Sequence, residues 1–205
     1  MTRLNKRTMG LGLILIFFSG CQTIPLASSV NKVKLLDYPT ANKVGMRVLD
    51  ERKGSTIGTI GGAVMKVNDD LRKATENSLV DILNHQMKVN VVLSDEIETN
   101  NIQNLASKYQ WDPILIAKIA KLKMFSIDAL MQPVEVDMDL DLSLYSPSGK
   151  EIYHQTFPGH YQKRIGLVMG TKSIAALIEA TLKDAMSNVV KDSELTGIVT
   201  SHHEE

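Results

Sequence analysis

The sequence predicts an α+β fold: a two-layer sandwich with a mostly antiparallel sheet and two long amphipathic helices packed on one face. Three observations carry that prediction. Residues 134–145 alternate without interruption, with Val134, Val136, Met138, Leu140, Leu142 and Leu144 on one side and Glu135, Asp137, Asp139, Asp141, Ser143 and Tyr145 on the other. Period two over twelve residues describes an antiparallel strand with one dry and one wet face. Two further segments, near 70–87 and 171–191, repeat apolar residues at helical spacing.

The remaining elements follow in chain order. Val44 to Leu49 reads as a first strand, running into the charged Asp50-Glu51-Arg52-Lys53. Gly54 to Gly62 holds four glycines, but neither a Walker pattern nor a dinucleotide fingerprint. It is expected to be a mobile loop leading into a short strand at 63–67. Asn68 or Asp69 caps the helix over 70–87, whose core stripe is Leu71, Ala74, Thr75, Ser78, Leu79, Ile82 and Leu83. Val89 to Leu93 is a short strand and Asn101 to Tyr109 a short helix. Residues 113–125 (PILIAKIAKLKMF) form a long strand. Ser146-Pro147-Ser148-Gly149 turns the chain from 134–145 into a return strand over 151–163. The last helix buries Ile174, Leu177, Ile178, Thr181, Leu182, Ala185 and Val189.

The N-terminus is an address. Arg3, Lys6 and Arg7 precede an apolar run from Met9 to Phe18, with no acid before Asp37. A run of about ten residues reaches roughly 15 Å as a helix, half a bilayer core, and reads as a secretory signal. Phe18-Ser19-Gly20-Cys21 then resembles a bacterial lipobox, in which the cysteine takes a diacylglycerol and an N-acyl chain and becomes the first mature residue. Cys21 is the only cysteine of the 205 residues, which excludes an internal disulfide or a multi-thiolate zinc site. Acyl chains contribute roughly 0.8 kcal/mol per buried methylene and hold such a protein on its membrane. Gln22, rather than an aspartate, follows the cysteine and favours the outer membrane, at its periplasmic face.

The organisation expected is therefore a signal peptide over 1–20, a lipidated start and tether over 21–42, a globular domain over 43–195 and a flexible tail over 196–205. The tether, carrying Pro25, Ser28, Ser29 and Pro39, extends up to about 70 Å if free, though Val33, Leu35 and Leu36 suggest that part of it lies on the domain.

Charge narrows the function classes. The chain holds 23 basic and 23 acidic residues, and loss of residues 1–20 removes three of the basic ones and no acid. The mature chain is mildly acidic, with no overall field for nucleic acid and no polybasic surface expected for anionic lipid. Aromatics at 5% supply few stacking platforms. The eye-catching cluster is Glu135, Asp137, Asp139 and Asp141. Alternate residues on a strand stand about 6.6–7 Å apart, too far for all four to share one metal ion. Lys118, Lys121, Lys123, Lys150 and Lys163 suit cross-strand pairing, and the strip is a candidate partner surface. His85, His154, His160, His202 and His203 fit no metalloprotease motif, no nucleophile elbow occurs, and no cofactor is implied. Met65, Met87, Met124, Met131, Met138, Met169 and Met186 serve as core filler or as an adaptable groove. Ile127, Leu130 and Met131 make an apolar strand connection.

The lipobox, the strand Val44-Gly45-Met46-Arg47-Val48 running into Asp50-Glu51-Arg52, the helix ending Leu79-Val80-Asp81-Ile82-Leu83-Asn84, the long hairpin and the last helix together resemble the YajG-like family of bacterial envelope lipoproteins, over most of residues 8–195. The resemblance implies a small anchored protein without a catalytic site and transfers no site residues. Similar α+β lipoproteins act as accessory subunits of envelope machines. The expected function is a non-catalytic protein-binding accessory or assembly component of an envelope complex, such as a secretion or transport machine. The alternative is a carrier or auxiliary subunit holding a lipid or small apolar ligand between helices and sheet.

Overall fold

The structure is a computed structural model and describes residues 20–29, 33–39, 41–60, 62–125, 133–164 and 170–201. Its elements are strands β1 (Cys21–Thr23), β2 (Lys43–Asp50), β3 (Thr56–Ile60), β4 (Ala63–Lys66), β5 (Asn90–Leu93), β6 (Ile114–Phe125), β7 (Val134–Tyr145) and β8 (Glu151–Lys163). The helices are α1 (Asp70–Asp81), α2 (Ile102–Tyr109), α3 (Thr171–Lys191) and α4 (Ser193–Thr200). A single 3-10 turn covers Ala27–Ser29, and α1 runs on through one wide π-type turn over Ile82–Gln86.

The α+β class holds. The main sheet has the order β5-β2-β6-β7-β8, antiparallel through β6, β7 and β8 and parallel where β2 lies between β5 and β6. The apolar side of β7 is fully buried from Val134 to Leu144, with α3 packed on β7 and β8 and α1 on β2. The residues expected inward on α3 are all buried, and those expected inward on α1 are too, except Ser78, which is half-buried and donates to the Ala74 carbonyl at 2.8 Å. Asp69 stands at the N-cap of α1, but its side chain makes no capping bond. Helix α3 comes so close to β8 that a Cβ on Gly159 would overlap the Thr181 carbonyl and stand 3.0 Å from the Ala185 Cβ. A second, smaller cluster covers the opposite side of the sheet, where Ile97, Ile102, Leu105, Ala106 and Trp111 pack over Ile114 and Ile116. At that end the sandwich gains a third layer.

Three expectations are corrected. The glycine-rich stretch is not an open loop: Thr56–Ile60 forms β3, with Ile57 and Ile60 buried and a hairpin to β4. Gly58 permits this, because a Cβ there would lie 2.5 Å from the Met124 carbonyl oxygen of β6. The C-terminal tail is ordered as α4 up to Thr200, since Leu195 and Val199 are buried and Asp192 caps the helix by accepting from the Leu195 N–H at 2.7 Å. The described parts of the segment expected as a tether, 21–29 and 33–39, are bonded to the body rather than free. Ile24 and Leu26 enter the core at 0% and 1% exposure, while Leu35 and Leu36 stay exposed. The expected apolar connection at Ile127, Leu130 and Met131 lies outside the described residues, as do Met169, His202 and His203.

Candidate anchor and contact surface

Of the lipobox residues, Gly20 and Cys21 fall among the described residues, and Phe18 and Ser19 do not. Cys21 is exposed and begins β1. Strand β1 pairs in parallel with β4, Cys21 opposite Val64, Gln22 opposite Met65 and Thr23 opposite Lys66. The Val64 N–H donates to the Gly20 carbonyl at 3.2 Å and the Ile24 N–H to the Lys66 carbonyl at 2.9 Å. A small three-stranded sheet, β1-β4-β3, therefore takes hold of the chain at the cysteine itself. Its base is fixed by Arg52. That guanidinium grips the Asp50 carboxylate through Nε at 2.8 Å and Nη2 at 2.6 Å, and donates to the Val67 carbonyl at 3.0 Å.

Downstream, side chains hold the backbone of this N-terminal strap. The Ser28 N–H donates to Glu179 of α3 at 3.2 Å, and Asn77 of α1 donates to the Ser28 carbonyl at 2.8 Å. Asn84, wholly buried, accepts the Leu36 N–H at 2.7 Å and donates to the Leu36 carbonyl at 2.7 Å and the Val89 carbonyl at 3.0 Å. Asn90 repeats the grip two residues on, accepting the Tyr38 N–H at 2.9 Å and donating to the Tyr38 carbonyl at 2.7 Å. A side-chain amide offers the same donor and acceptor as a peptide unit. Two asparagines thus stand in for a neighbouring strand. His85 meets the Lys34 carbonyl at 3.0 Å in the same stretch.

The acidic strip lies mid-sheet on the face away from α1 and α3, flanked by β6 and β8. Lys121 reaches Asp139 at 3.6 Å and Asp137 at 3.9 Å, with all three side chains about one-third exposed. Asp137 also meets His160 Nδ1 at 2.8 Å, and Asp141 accepts from the Thr156 hydroxyl at 2.6 Å. Glu135 sits at the end of the strip between Phe125 and Gln162. The strip is a ladder of partly compensated charge. His154 lies on the same face, 2.9 Å from the Ser143 hydroxyl and 3.4 Å from Glu151. Among the described residues no three His, Asp, Glu or Cys groups stand close enough to hold a metal.

The edge of β8 is partly closed by α3. The His160 N–H donates to Asp184 at 3.0 Å and Asn188 donates to the Pro158 carbonyl at 2.9 Å. These bonds occupy main-chain groups that an added strand would need. Met65, Met124, Met138 and Met186 are core residues. Two clefts, of about 400 and 500 Å³, open at the surface along the strap: the first lies between α1 and the sheet, lined by Arg72, Glu76 and Val80 with Met46 and Val48 of β2, and the second lies between the end of α1 and α3. Two titratable groups are displaced by burial. The Tyr153 phenol is raised well above its ordinary value, chiefly by desolvation and then by the Asp192 carboxylate, and its hydroxyl makes no hydrogen bond of good geometry. Desolvation also raises the Glu76 carboxyl above 4.5, against the opposing pull of Arg72.

The local lipobox pattern made Cys21 visible in the sequence. The asparagine clasp had no such signal, because its partners lie in distant segments. No helix among the described residues is long and apolar enough to cross a membrane.

No protein-family model and no curated protein matches the chain. Solved structures do. A Xanthomonas campestris protein of the family DUF330 is 13% identical, with a TM-score of 0.49 over 86% of this chain and 95% of that one. Lipoprotein GNA1162 from Neisseria meningitidis is 9% identical, with a TM-score of 0.43 over 72% and 99%. A minor lipoprotein from Acinetobacter baumannii is 8% identical, with a TM-score of 0.44 over 78% and 98%. Two of these three structural neighbours are lipoproteins by name.

Proposed function

We infer that this chain is a non-catalytic envelope lipoprotein, tied to the periplasmic face of the outer membrane through a diacylglycerol and an N-acyl chain on Cys21. Its α+β body acts as a protein-binding accessory or assembly component of an envelope complex. The observation that carries this reading is that the sole cysteine follows Ser19-Gly20 in a lipobox and is also the exposed first residue of a strand stitched to the body. Gln22 favours the outer over the inner membrane, and the YajG-like family remains the grouping its motifs resemble. The open sheet face, with Glu135, Asp137, Asp139 and Asp141 interleaved with lysines and histidines, supplies the contact with protein partners. A ladder of alternating charge selects a partner by register more than by net field.

Metabolic labelling with a palmitate analogue tests the anchor: label is expected on the parent and absent from Cys21→Ser. Photo-crosslinking in cells tests the contact. A crosslinker at Asp139 is expected to capture a discrete envelope protein, and one at Lys73, on the outer side of α1, is not. Equal, diffuse capture at both positions would discard the sheet face as the contact.

A further inference from the structure

The anchor has no slack, and that fixes which end of the body meets the membrane. Gln22 and Thr23 are already paired with β4, and Ile24 is buried. A lipid on Cys21 therefore leaves directly from the surface of the body. The position of that point in the fold follows from a lateral row across the strands. Gln22 lies opposite Met65, Met65 opposite Gly58, and Gly58 lies against the backbone of Met124. The direction follows from the cleft that joins Asp50, Ser55 and Val67. The β3–β4 hairpin starts beside Asp50, which pairs with Ile119, and by Gly58 it has advanced to Met124. Its tip, with Cys21 alongside, stands level with the end of β6.

The same end carries the finish of β8, because Val134 pairs with Lys163. It also carries the start of α3, which runs antiparallel to β8: Asn188 meets Pro158 while Asp184 meets His160. Three exposed cations, Lys163, Arg164 and Lys172, gather there, and Phe125 is 48% exposed at the last position of β6. Among the described residues, the acid beside them on the adjoining strand is Glu135, which pairs with Phe125. The balanced charge of the whole chain does not show this local excess of cations among the described residues. Basic side chains around an exposed aromatic suit the headgroup layer of an anionic bilayer.

We propose that this end of the domain, with Phe125, Lys163, Arg164 and Lys172 around the Cys21 attachment point, rests on anionic lipid headgroups and holds the sheet upright on the membrane. The turn Ser146–Lys150, at the far end of β7, then points away from the bilayer, about 35 Å from it by strand rise. The proposal rests on Cys21 being the acylated residue.

The test uses the mature lipoprotein in vesicles of phosphatidylethanolamine and phosphatidylglycerol containing a headgroup nitroxide lipid. Because the native cysteine is acylated, an introduced cysteine is the one free thiol for a bimane label. Labels at Phe125→Cys and Arg164→Cys are expected to be quenched at least about threefold more than one at Ser148→Cys, given the short reach of a headgroup quencher against the length of β7. All three sites lie outside the core. Charge reversal by Lys163→Glu, Arg164→Glu and Lys172→Glu, in the Phe125→Cys chain, is expected to lower its quenching toward the Ser148→Cys level. Equal quenching at the two ends, or no response to charge reversal, overturns the proposal while flotation with the vesicles leaves the anchor reading intact. Failure to float overturns the anchor reading instead.

Discussion

Replacing Asn84 with alanine tests whether the N-terminal strap is part of the body or merely lies on it. Asn84 is wholly buried and makes three hydrogen bonds, two to Leu36 and one to the Val89 carbonyl. At about 1 kcal/mol net per bond, Asn84→Ala should lose about 3 kcal/mol. For a domain of this size that lowers Tm by about 6–12 °C. The loss should also be local. Hydrogen exchange at the Leu36 amide should accelerate by about a hundredfold, the equivalent of the same energy. Urea unfolding and exchange on the lipid-free Cys21→Ser chain measure both. Asn90→Ala, at a half-buried position where water can replace the amide, should cost less than Asn84→Ala. A destabilisation below about 1 kcal/mol, or unchanged Leu36 exchange, would refute the clasp.

Three other perturbations follow from the same packing. Gly159→Val forces side-chain atoms into the Thr181 carbonyl and the Ala185 methyl, and should cost about 1–3 kcal/mol or more, read as a drop in the urea midpoint. Ile24→Ala empties a fully buried site three residues after Cys21 and should cost about 2–5 kcal/mol by the same measurement, whereas Leu35→Ala on the exposed strap should cost little. Glu76 gives a pH signature. Burial raises its folded carboxyl above 4.5, so the folded state prefers the neutral acid, and its contribution to stability grows as pH falls through the folded value and is complete below the unfolded one. Glu76→Gln should therefore be more stable than the parent at pH 7, with that advantage shrinking on acidification. A difference independent of pH would show that the carboxyl is not held in a desolvating site.

The elements legible in the sequence were those whose burial pattern is periodic and continuous. Strand β7 announces itself because every second residue from Val134 to Leu144 faces the helices, and α3 because Ile174 to Val189 holds one stripe. The helix pattern at 70–87 was legible as well, although its final turn widens to a π form that no residue preference marks. Strand β3 was obscured by Gly58, whose lack of a side chain serves a close contact with a strand far along the chain. Helix α4 buries Leu195 and Val199 around Gly197, too short a pattern to read. The strap escaped for a related reason: Ile24 and Leu26 are isolated apolar residues in a polar stretch, and the groups that hold them belong to β4, α1 and α3.

The candidate site divides in the same way. The lipobox-like pattern that makes Cys21 a candidate is visible because its residues are contiguous, while the pairing of Cys21 with β4 joins distant segments and is not. The acidic strip was legible as one face of β7. Its compensation by Lys121, His160 and Thr156 required the registers of β6 and β8.

The most direct test of the account is the intact mass of the native protein taken from the membrane fraction, with fragmentation of its N-terminal peptide. The account predicts a chain beginning at Cys21 and carrying a diacylglycerol on sulfur and an acyl chain on nitrogen. A chain that retains Phe18-Ser19-Gly20 ahead of an unmodified Cys21 thiol would contradict it.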